Sequence, residues 1–101
     1  MIILNITFLV SEQQISKWLK WIKEEHIPYM LSDNSLISPQ IAKVISQEEQ
    51  DGVSYSVQYK TESIANLNEW YAKYGYGMEE SCVKTFGESV LFFSTVLEVI
   101  E

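Results

Sequence analysis

The sequence contains no arginine, and this absence restricts what the chain can bind. All seven basic residues are lysines, set against 14 acidic residues, so the formal net charge is -7. Without arginine there is no planar guanidinium to hold a phosphate or carboxylate through two parallel hydrogen bonds. The acidic excess also repels the phosphates of nucleic acids and of anionic membranes. We therefore expect neither a nucleic-acid partner nor a membrane partner.

Cysteine and histidine occur once each. A single cysteine, Cys82, excludes a disulfide within the chain and is typical of a protein in the reducing cytoplasm. The single histidine, His26, is far from Cys82 in sequence, so no metal-binding spacing is present. No phosphate-binding loop and no nucleophile elbow occurs either. The sequence predicts a cytoplasmic protein without a metal ion or cofactor.

Long apolar runs are also missing. No stretch approaches the roughly 18–20 apolar residues of a membrane span. The N-terminal MIILNITFLV lacks basic residues, and Asn5 and Thr7 interrupt it with the period of a strand, so it does not resemble a signal peptide.

Apolar and aromatic residues, in contrast, are abundant. They make up 47% and 13% of only 101 residues, which predicts one folded domain over residues 1–101 with one core. So small a domain cannot easily bury this much apolar surface alone, which indicates a partner subunit.

The hydrophobic periodicity predicts four strands and two main helices. A capping box at Ser11 and Gln14 starts the first helix, Ser63 caps the second, and Gly75 and Gly77 interrupt the second before a short third helix. An acidic tip at 48–51 leads into a hairpin turn at Asp51-Gly52. The predicted order is strand 2–10, helix 11–30, strand 36–47 at a sheet edge, strand 53–60, helix 63–74, helix 78–86 and strand 89–100.

This β-α-β-β-α-β order predicts an α+β fold of the ferredoxin-like type, with a four-stranded sheet and both helices on one face. The last strand is apolar on both faces, as Phe92 and Val96 alternate with Phe93 and Leu97. Strands that are apolar on both faces are buried on both faces. We therefore expect a second copy of the chain to cover the other face, giving a homodimer through the sheet.

The first helix, which contains WLKWIKEEHIPYM, places Trp18 and His26 on one apolar face. His26 is expected to face inward, at least half buried, and to bond a backbone carbonyl or a tyrosine hydroxyl. It is either a structural histidine or a general acid/base at a cavity wall. The candidate ligand-binding residues are Trp18, His26, Tyr55, Tyr59 and Trp70, which would line a pocket for a small apolar ligand. Cys82 is interpreted as an inert buried thiol.

With these motifs placed, the whole chain resembles a family of short, uncharacterised bacterial proteins of the dimeric α/β-barrel superfamily. The resemblance rests on NITF, WLKWIKEEHIP, GVSYSVQY and FGESVLFFSTVLEVIE. It implies two ferredoxin-like sheets that face each other across a two-fold axis, and it implies no activity.

More distant members of that superfamily are cofactor-free monooxygenases and haem-degrading oxygenases. The resemblance to the latter would require an asparagine in the first strand, a tryptophan in the second helix and a histidine in the third. Trp70 matches in position, but Asn5 lies on the side away from the helices, and residues 78–84 contain no histidine. Haem degradation is therefore not supported.

Two functional hypotheses follow from the sequence. The first is a non-catalytic homodimeric module that binds a small molecule or another protein. The second is a small cofactor-independent enzyme, similar to a monooxygenase or an isomerase, with His26 as acid/base. A cavity between helices and sheet with His26 at its wall would favour the enzyme, whereas a filled layer would favour the module.

Overall fold

The computed structural model describes residues 1–45 and 51–101. The strands are β1 (Ile2–Val10), β2 (Ile37–Lys43), β3 (Val53–Thr61) and β4 (Val90–Glu98). Two helical regions connect them. Helix α1 follows a 3₁₀ turn (Glu12–Gln14) and consists of Ile15–Trp21, a π-helical turn Ile22–His26 and Ile27–Met30. Helix α2 consists of Ile64–Trp70, a π-helical turn Tyr71–Gly75 and Tyr76–Phe86, and a 3₁₀ turn (Gly87–Ser89) leads into β4.

The four strands form one antiparallel sheet in the order β2-β3-β1-β4. Burial alternates residue by residue along the central strand β1, where Leu4, Ile6 and Phe8 are at most 1% exposed. These side chains pack against Trp18 and Trp70, which are fully buried on the two helices. The predicted ferredoxin-like α+β fold is confirmed.

The two predicted helix starts have different outcomes. Ser63 accepts a hydrogen bond through its side chain from the backbone N–H of Asn66 at 3.1 Å, so the predicted cap is confirmed. Ser11 makes no side-chain capping bond, and its backbone carbonyl instead accepts from the N–H of Gln14 at 2.8 Å. The capping-box prediction is wrong. The chain leaves β1 through a 3₁₀ turn, in which the N–H of Gln14 bonds a backbone carbonyl instead of the Ser11 side chain.

The prediction that Gly75 and Gly77 interrupt the second helix is also wrong, because helical structure runs without a break from Ile64 to Phe86. A Cβ atom at Gly77 would clash with the hydroxyl of Tyr29. Gly77 therefore allows a close approach of the two helices rather than a helix end. A glycine within a helix is about 1 kcal/mol less favourable than an alanine, and the close packing of the two helices offsets this loss.

Strand β2 is the least regular strand. Its register with β3 shifts between Ile37 and Gln40, around Pro39, and Ser38 has a positive φ of 55°. The predicted edge position is confirmed. The strand ends at Lys43, earlier than predicted, while residues 46–47 of the predicted strand and 48–50 of the predicted acidic tip lie outside the described residues.

The face of the sheet opposite the helices is uncovered in the protomer, and we call it the open sheet face. On β4 it presents Leu91, Phe93 and Leu97, which are 57%, 61% and 41% exposed. On β1 and β3 it presents a polar row that includes Asn5 and Ser56. In the described part of the chain, no helix is long and apolar enough to cross a membrane.

Candidate functional site

His26 lies in the π-helical turn of α1 and points into the layer between helices and sheet. It is 3% exposed, so the predicted inward orientation is present. Its ring contacts Trp21 (centroids 5.1 Å apart), the edge of Phe8 (5.7 Å) and Tyr59 (6.3 Å). Because three aromatic rings surround it, the imidazole has little access to water.

The hydrogen bond that the sequence predicts for His26 is not found: among the described residues, its Nε2 atom has no partner. Burial without a partner favours the neutral ring, and it lowers the pKa of His26 from 6.5 to about 4. Burial likewise raises the pKa of Tyr59, far above the physiological range. At neutral pH the site therefore contains an uncharged imidazole and an uncharged phenol.

A second pair of rings adjoins this group. Trp18 stacks on Tyr55 with centroids 4.8 Å apart and an interplanar angle of 28°. Trp18 also lies 5.2 Å from Phe8, which connects this pair to His26. We call the continuous group Phe8, Trp18, Trp21, His26, Tyr55 and Tyr59 the aromatic layer.

Trp70 is buried but occupies a different part of the core. Its indole nitrogen donates a hydrogen bond to the carbonyl oxygen of Met30 at 3.1 Å, and its ring contacts Tyr71 and Tyr74. The structure thus brings together four of the five candidate residues, namely Trp18, His26, Tyr55 and Tyr59, and places Trp70 at the junction of the two helices.

Sequence reasoning missed Trp21 and Phe8 as neighbours of His26. At 100° per residue, Trp21 falls at the margin of the apolar stripe. The π-helical turn inserts extra backbone between Trp21 and Ile27 and shifts the phase of the helix, which brings Trp21 to 3% exposure. The available signal was Pro28, which cannot donate to the carbonyl four residues earlier and favours an irregular turn before it.

The aromatic layer contains polar atoms that lack partners among the described residues. They are Nε1 of Trp18, Nε1 of Trp21, Nε2 of His26 and the hydroxyl of Tyr59, with Oγ1 of Thr61 two residues further along β3. Each buried polar atom without a hydrogen bond costs about 1–3 kcal/mol. The indoles can only donate, whereas the imidazole and the phenol can donate or accept. The layer is thus chemically able to bind acceptor atoms.

Three clefts in the described part of the protomer lie elsewhere. One groove, of about 400 Å³, lies on the open sheet face between Thr7, Leu9, Ser54, Leu91 and Phe93. A polar cleft of about 290 Å³ lies at the end of β3, and a third of about 270 Å³ lies beside Gly52. None of these three clefts is lined by a residue of the aromatic layer, whose Trp18 is fully buried.

Comparison with protein families gives a match along almost the whole chain. The model of the family described as a domain of unknown function, DUF4286, matches residues 1–100. The chain belongs to this family. No curated protein matches it. Membership of DUF4286 agrees with the resemblance stated above to an uncharacterised family, and it assigns no activity to the aromatic layer.

Solved structures show the same fold at low sequence identity. A Deinococcus radiodurans protein named as a candidate antibiotic biosynthesis monooxygenase is 14% identical, with a TM-score of 0.70 over 100% of this chain and 94% of its own. A protein from Bacillus halodurans named as a member of the ethyl tert-butyl ether D (EthD) family is 13% identical, with a TM-score of 0.70 over 99% of this chain and 100% of its own. A dimeric ferredoxin-like protein from an uncultured marine organism is 10% identical, with a TM-score of 0.70 over 99% and 94%. At these identities the DUF4286 chain shares their fold alone.

Proposed function

We propose that this DUF4286 protein is a non-catalytic homodimeric binding module whose two copies associate through the open sheet face. The observation that carries the proposal is the row of exposed apolar side chains on β4. Leu91 and Phe93 are neighbours on the same side of the strand, Leu97 follows on that side beyond Thr95, and all three are more than 40% exposed. Contiguous apolar surface of this kind usually marks an interface.

The charge of this face is compatible with a second copy of the same chain. In the described strands, the side chains on this face are apolar or uncharged except for Lys60. The net charge of -7 would make two copies repel if their acidic residues met. An uncharged face allows association without that repulsion.

The polar row at the centre of the face is already partly satisfied. Ser56 donates its hydroxyl to Oδ1 of Asn5 at 2.5 Å, and Nδ2 of Asn5 donates to the hydroxyl of Thr7 at 3.1 Å. Polar groups that keep their hydrogen bonds cost little when they are covered. The solved neighbour that is named as a dimeric ferredoxin-like protein supports a dimer in this fold.

A non-catalytic role is supported by the packing of the aromatic layer. Trp18 and Ile22 are fully buried and His26 is 3% exposed, so the layer is filled by side chains of the protomer itself. A small apolar ligand would bind at Trp18, His26, Tyr55 and Tyr59 only if these rings moved apart.

The test is the molar mass in solution, measured by light scattering at micromolar concentration. The wild-type protein is expected to be a dimer that buries at least about 1,600 Å² in total. Phe93→Lys should give a folded monomer, because a lysine ammonium would be buried without a partner in an apolar interface. Val83→Lys is the matched control, since Val83 is 58% exposed on the outer side of α2 and its replacement should leave the dimer intact. A monomeric wild type contradicts the proposal.

The second candidate function is a cofactor-independent enzyme, similar to a monooxygenase or an isomerase, with His26 as acid/base and Tyr55, Tyr59 and Trp70 shaping the pocket. One observation favours it: the imidazole of His26 is neutral and its Nε2 is unpartnered next to the hydroxyl-bearing ring of Tyr59. A screen of aromatic and quinone-like substrates with wild type and His26→Gln tests this function. A stable His26→Gln variant that alone loses an activity would establish catalysis.

A further inference from the structure

The two edges of the sheet differ in how well they are protected from pairing with another strand. Among the described strands, the order β2-β3-β1-β4 gives β2 and β4 one neighbour each. The edge at β2 is irregular: Pro39 has no N–H, Ser38 has a positive φ of 55°, and the register shifts between Ile37 and Gln40. Prolines and irregularities of this kind hinder pairing with a further strand. The edge at β2 is therefore protected.

The edge at β4 has none of these features. The strand contains nine residues, Val90–Glu98, and pairs with β1 without a register shift. It contains no proline and no glycine, and its one charged side chain is Glu98 at the end. Val96, opposite the buried Leu4 on the helix side, is still 46% exposed, so the helices do not cover this edge. A long, regular and exposed edge strand is a template for pairing with another strand.

The hydrogen bonds at the two ends of β4 show which of its backbone groups point outward. The N–H of Val99 donates to the carbonyl of Met1 at 3.0 Å, and the carbonyl of Ser89 accepts from the N–H of Ser11 at 3.0 Å. Successive residues of an antiparallel strand direct their backbone groups to opposite sides. The odd-numbered residues of β4 therefore bond β1, and the even-numbered residues direct N–H and C=O to the free edge. These even-numbered residues are Val90, Phe92, Ser94, Val96 and Glu98.

We propose that β4 pairs along this edge with β4 of a second copy, antiparallel and about a two-fold axis at Ser94. Ser94 is the midpoint of the strand, so this register uses its full length. On the helix side, Phe92 then lies opposite Val96 of the second copy. On the open sheet face, Leu91 lies opposite Leu97 of the second copy. Apolar side chains therefore meet on both faces, as in stable cross-strand pairs.

The charge of the strand supports a second copy as the partner. Each copy has a net charge of -7, so two copies associate only where their acidic groups stay apart. In this register the two Glu98 carboxylates lie at opposite ends of the paired strands, roughly 26 Å apart at about 3.3 Å per residue. Salt screens exposed charges beyond about 8 Å at physiological ionic strength. The acidic ends of the two strands therefore do not oppose the pairing.

The edge is separate from the open sheet face, so this inference does not depend on the face-to-face dimer. The edge uses outward backbone groups of β4, whereas the face uses side chains. One strand offers less surface than a whole sheet face, so we expect the edge to pair at a higher protein concentration. If both interfaces form, two face-to-face dimers associate through their β4 edges.

The first test follows the exchange of backbone amide protons with water by NMR, from micromolar to millimolar protein. The N–H groups of Phe92, Ser94 and Val96 should exchange at least about tenfold more slowly at the highest concentration. The N–H groups of Phe93 and Thr95, which bond β1, are the control and should be protected at every concentration. A face-to-face dimer alone gives the edge N–H groups no hydrogen-bond partner. Exchange rates that do not change with concentration would overturn the proposal.

A proline at the proposed axis provides a variant that acts on the edge alone. Ser94→Pro removes an outward N–H and leaves the bonds to β1 in place, as prolines on edge strands do. It should retain the circular dichroism spectrum of wild type and abolish the slow exchange at Phe92 and Val96. Ser94→Ala, which keeps the N–H, should preserve the slow exchange. A folded Ser94→Pro variant that still shows it would refute the pairing.

A pair of charged variants tests the register and does not require proline to be tolerated. Ser94→Lys and Ser94→Glu each place two like charges directly opposite one another at the axis, so each variant alone should show no slow exchange. An equal mixture should recover it, because lysine then lies opposite glutamate. Slow exchange in either variant alone, which indicates another register or partner, or no recovery in the mixture would contradict pairing about Ser94.

Discussion

The indole nitrogen of Trp70 donates a hydrogen bond to the carbonyl oxygen of Met30, 3.1 Å away, and joins the second helix to the end of the first. This bond is fully buried. Beside it, the hydroxyl of Tyr29 donates to the carbonyl oxygen of Tyr74 at 3.1 Å. Two side-chain bonds, one in each direction, therefore fix the helices relative to each other above the sheet.

Trp70→Phe should lower the free energy of unfolding by about 1–3 kcal/mol, because it leaves the buried carbonyl of Met30 without this donor. Chemical denaturation with urea would measure the loss. Tyr76→Phe is a suitable control, since Tyr76 is 78% exposed, and it should lie within about 0.5 kcal/mol of wild type. Equal stabilities of the two variants would show that the bond between the helices contributes nothing.

Gly77→Ala should destabilise the protein by about 1–3 kcal/mol, although alanine is the better helix former. The new methyl group would collide with the hydroxyl of Tyr29 and push the helices apart. A double-mutant cycle with Tyr29→Phe measures the coupling. We expect the double variant to lose less stability than the sum of the losses of the two single variants. Losses that simply add would contradict the proposed contact.

Trp18→Ala should cost about 3–5 kcal/mol, because Trp18 is fully buried against Phe8 and Tyr55 and its removal leaves a cavity. Lys20→Ala, on the exposed side of the same helix, should change stability by less than about 0.5 kcal/mol. Thermal unfolding of both variants gives the ranking. If Lys20→Ala lost more stability than Trp18→Ala, the assignment of Trp18 to the buried side of the helix and Lys20 to the exposed side would be contradicted.

His26 should make stability depend on pH between about 6.5 and 4. Burial lowers the pKa of His26 in the folded chain to about 4, so the unfolded chain takes up a proton first as the pH falls. The contribution of His26 is complete above pH 6.5, decreases as the pH falls to 4 and amounts to roughly 3 kcal/mol. Tyr59, which faces His26 from β3, is neutral throughout this range, and burial moves its pKa still further above it.

The measurement for this prediction is the free energy of unfolding of wild type and His26→Gln at several pH values. Carboxylates titrate identically in both proteins, so the difference between the two curves isolates the histidine. That difference should favour wild type most strongly at neutral pH and should diminish as the pH falls to 4. Parallel curves would indicate that the imidazole is accessible to water in the folded state.

Cys82 should be unreactive in the folded protein. It is 2% exposed, and burial raises the pKa of its thiol to about 11, so almost no thiolate is present near neutrality. Iodoacetamide at pH 8 should label the protein only after denaturation with guanidinium chloride. Rapid labelling of the native protein would show that the helix α2 opens around this residue.

Periodicity predicted most of the fold because the sheet has one buried face and the helices have one buried stripe. The alternation along β1 and the Ser63 cap are local signals that tertiary contacts do not alter. Two features were not predictable in this way: the backbone hydrogen bond that replaces the side-chain cap at Ser11, and the continuation of α2 past Gly75. Both involve contacts between elements: the N–H of Ser11 donates to the carbonyl of Ser89 at 3.0 Å, and a side chain at Gly77 would clash with Tyr29.

The candidate site was predictable only in part, for a similar reason. The inward orientation of His26 follows from its spacing of eight residues from Trp18 and four residues from Ile22 along one helical stripe. Its contact with Trp21 required the π-helical turn, and its lack of a hydrogen bond required knowledge of which rings surround it. Trp70 is aromatic like the other four candidates, but it lies at the junction of the two helices.

The position of β1 in the sheet has a consequence for how the chain folds during synthesis. β1 is made first, yet one of its two neighbours is β4, and the register pairs Ile2 with Glu98. Pairing across almost the entire chain gives a high contact order, which slows folding. The strand β1 therefore has one unpaired edge until β4 leaves the ribosome, and during that interval its apolar residues are open to chaperones or to a neighbouring nascent chain.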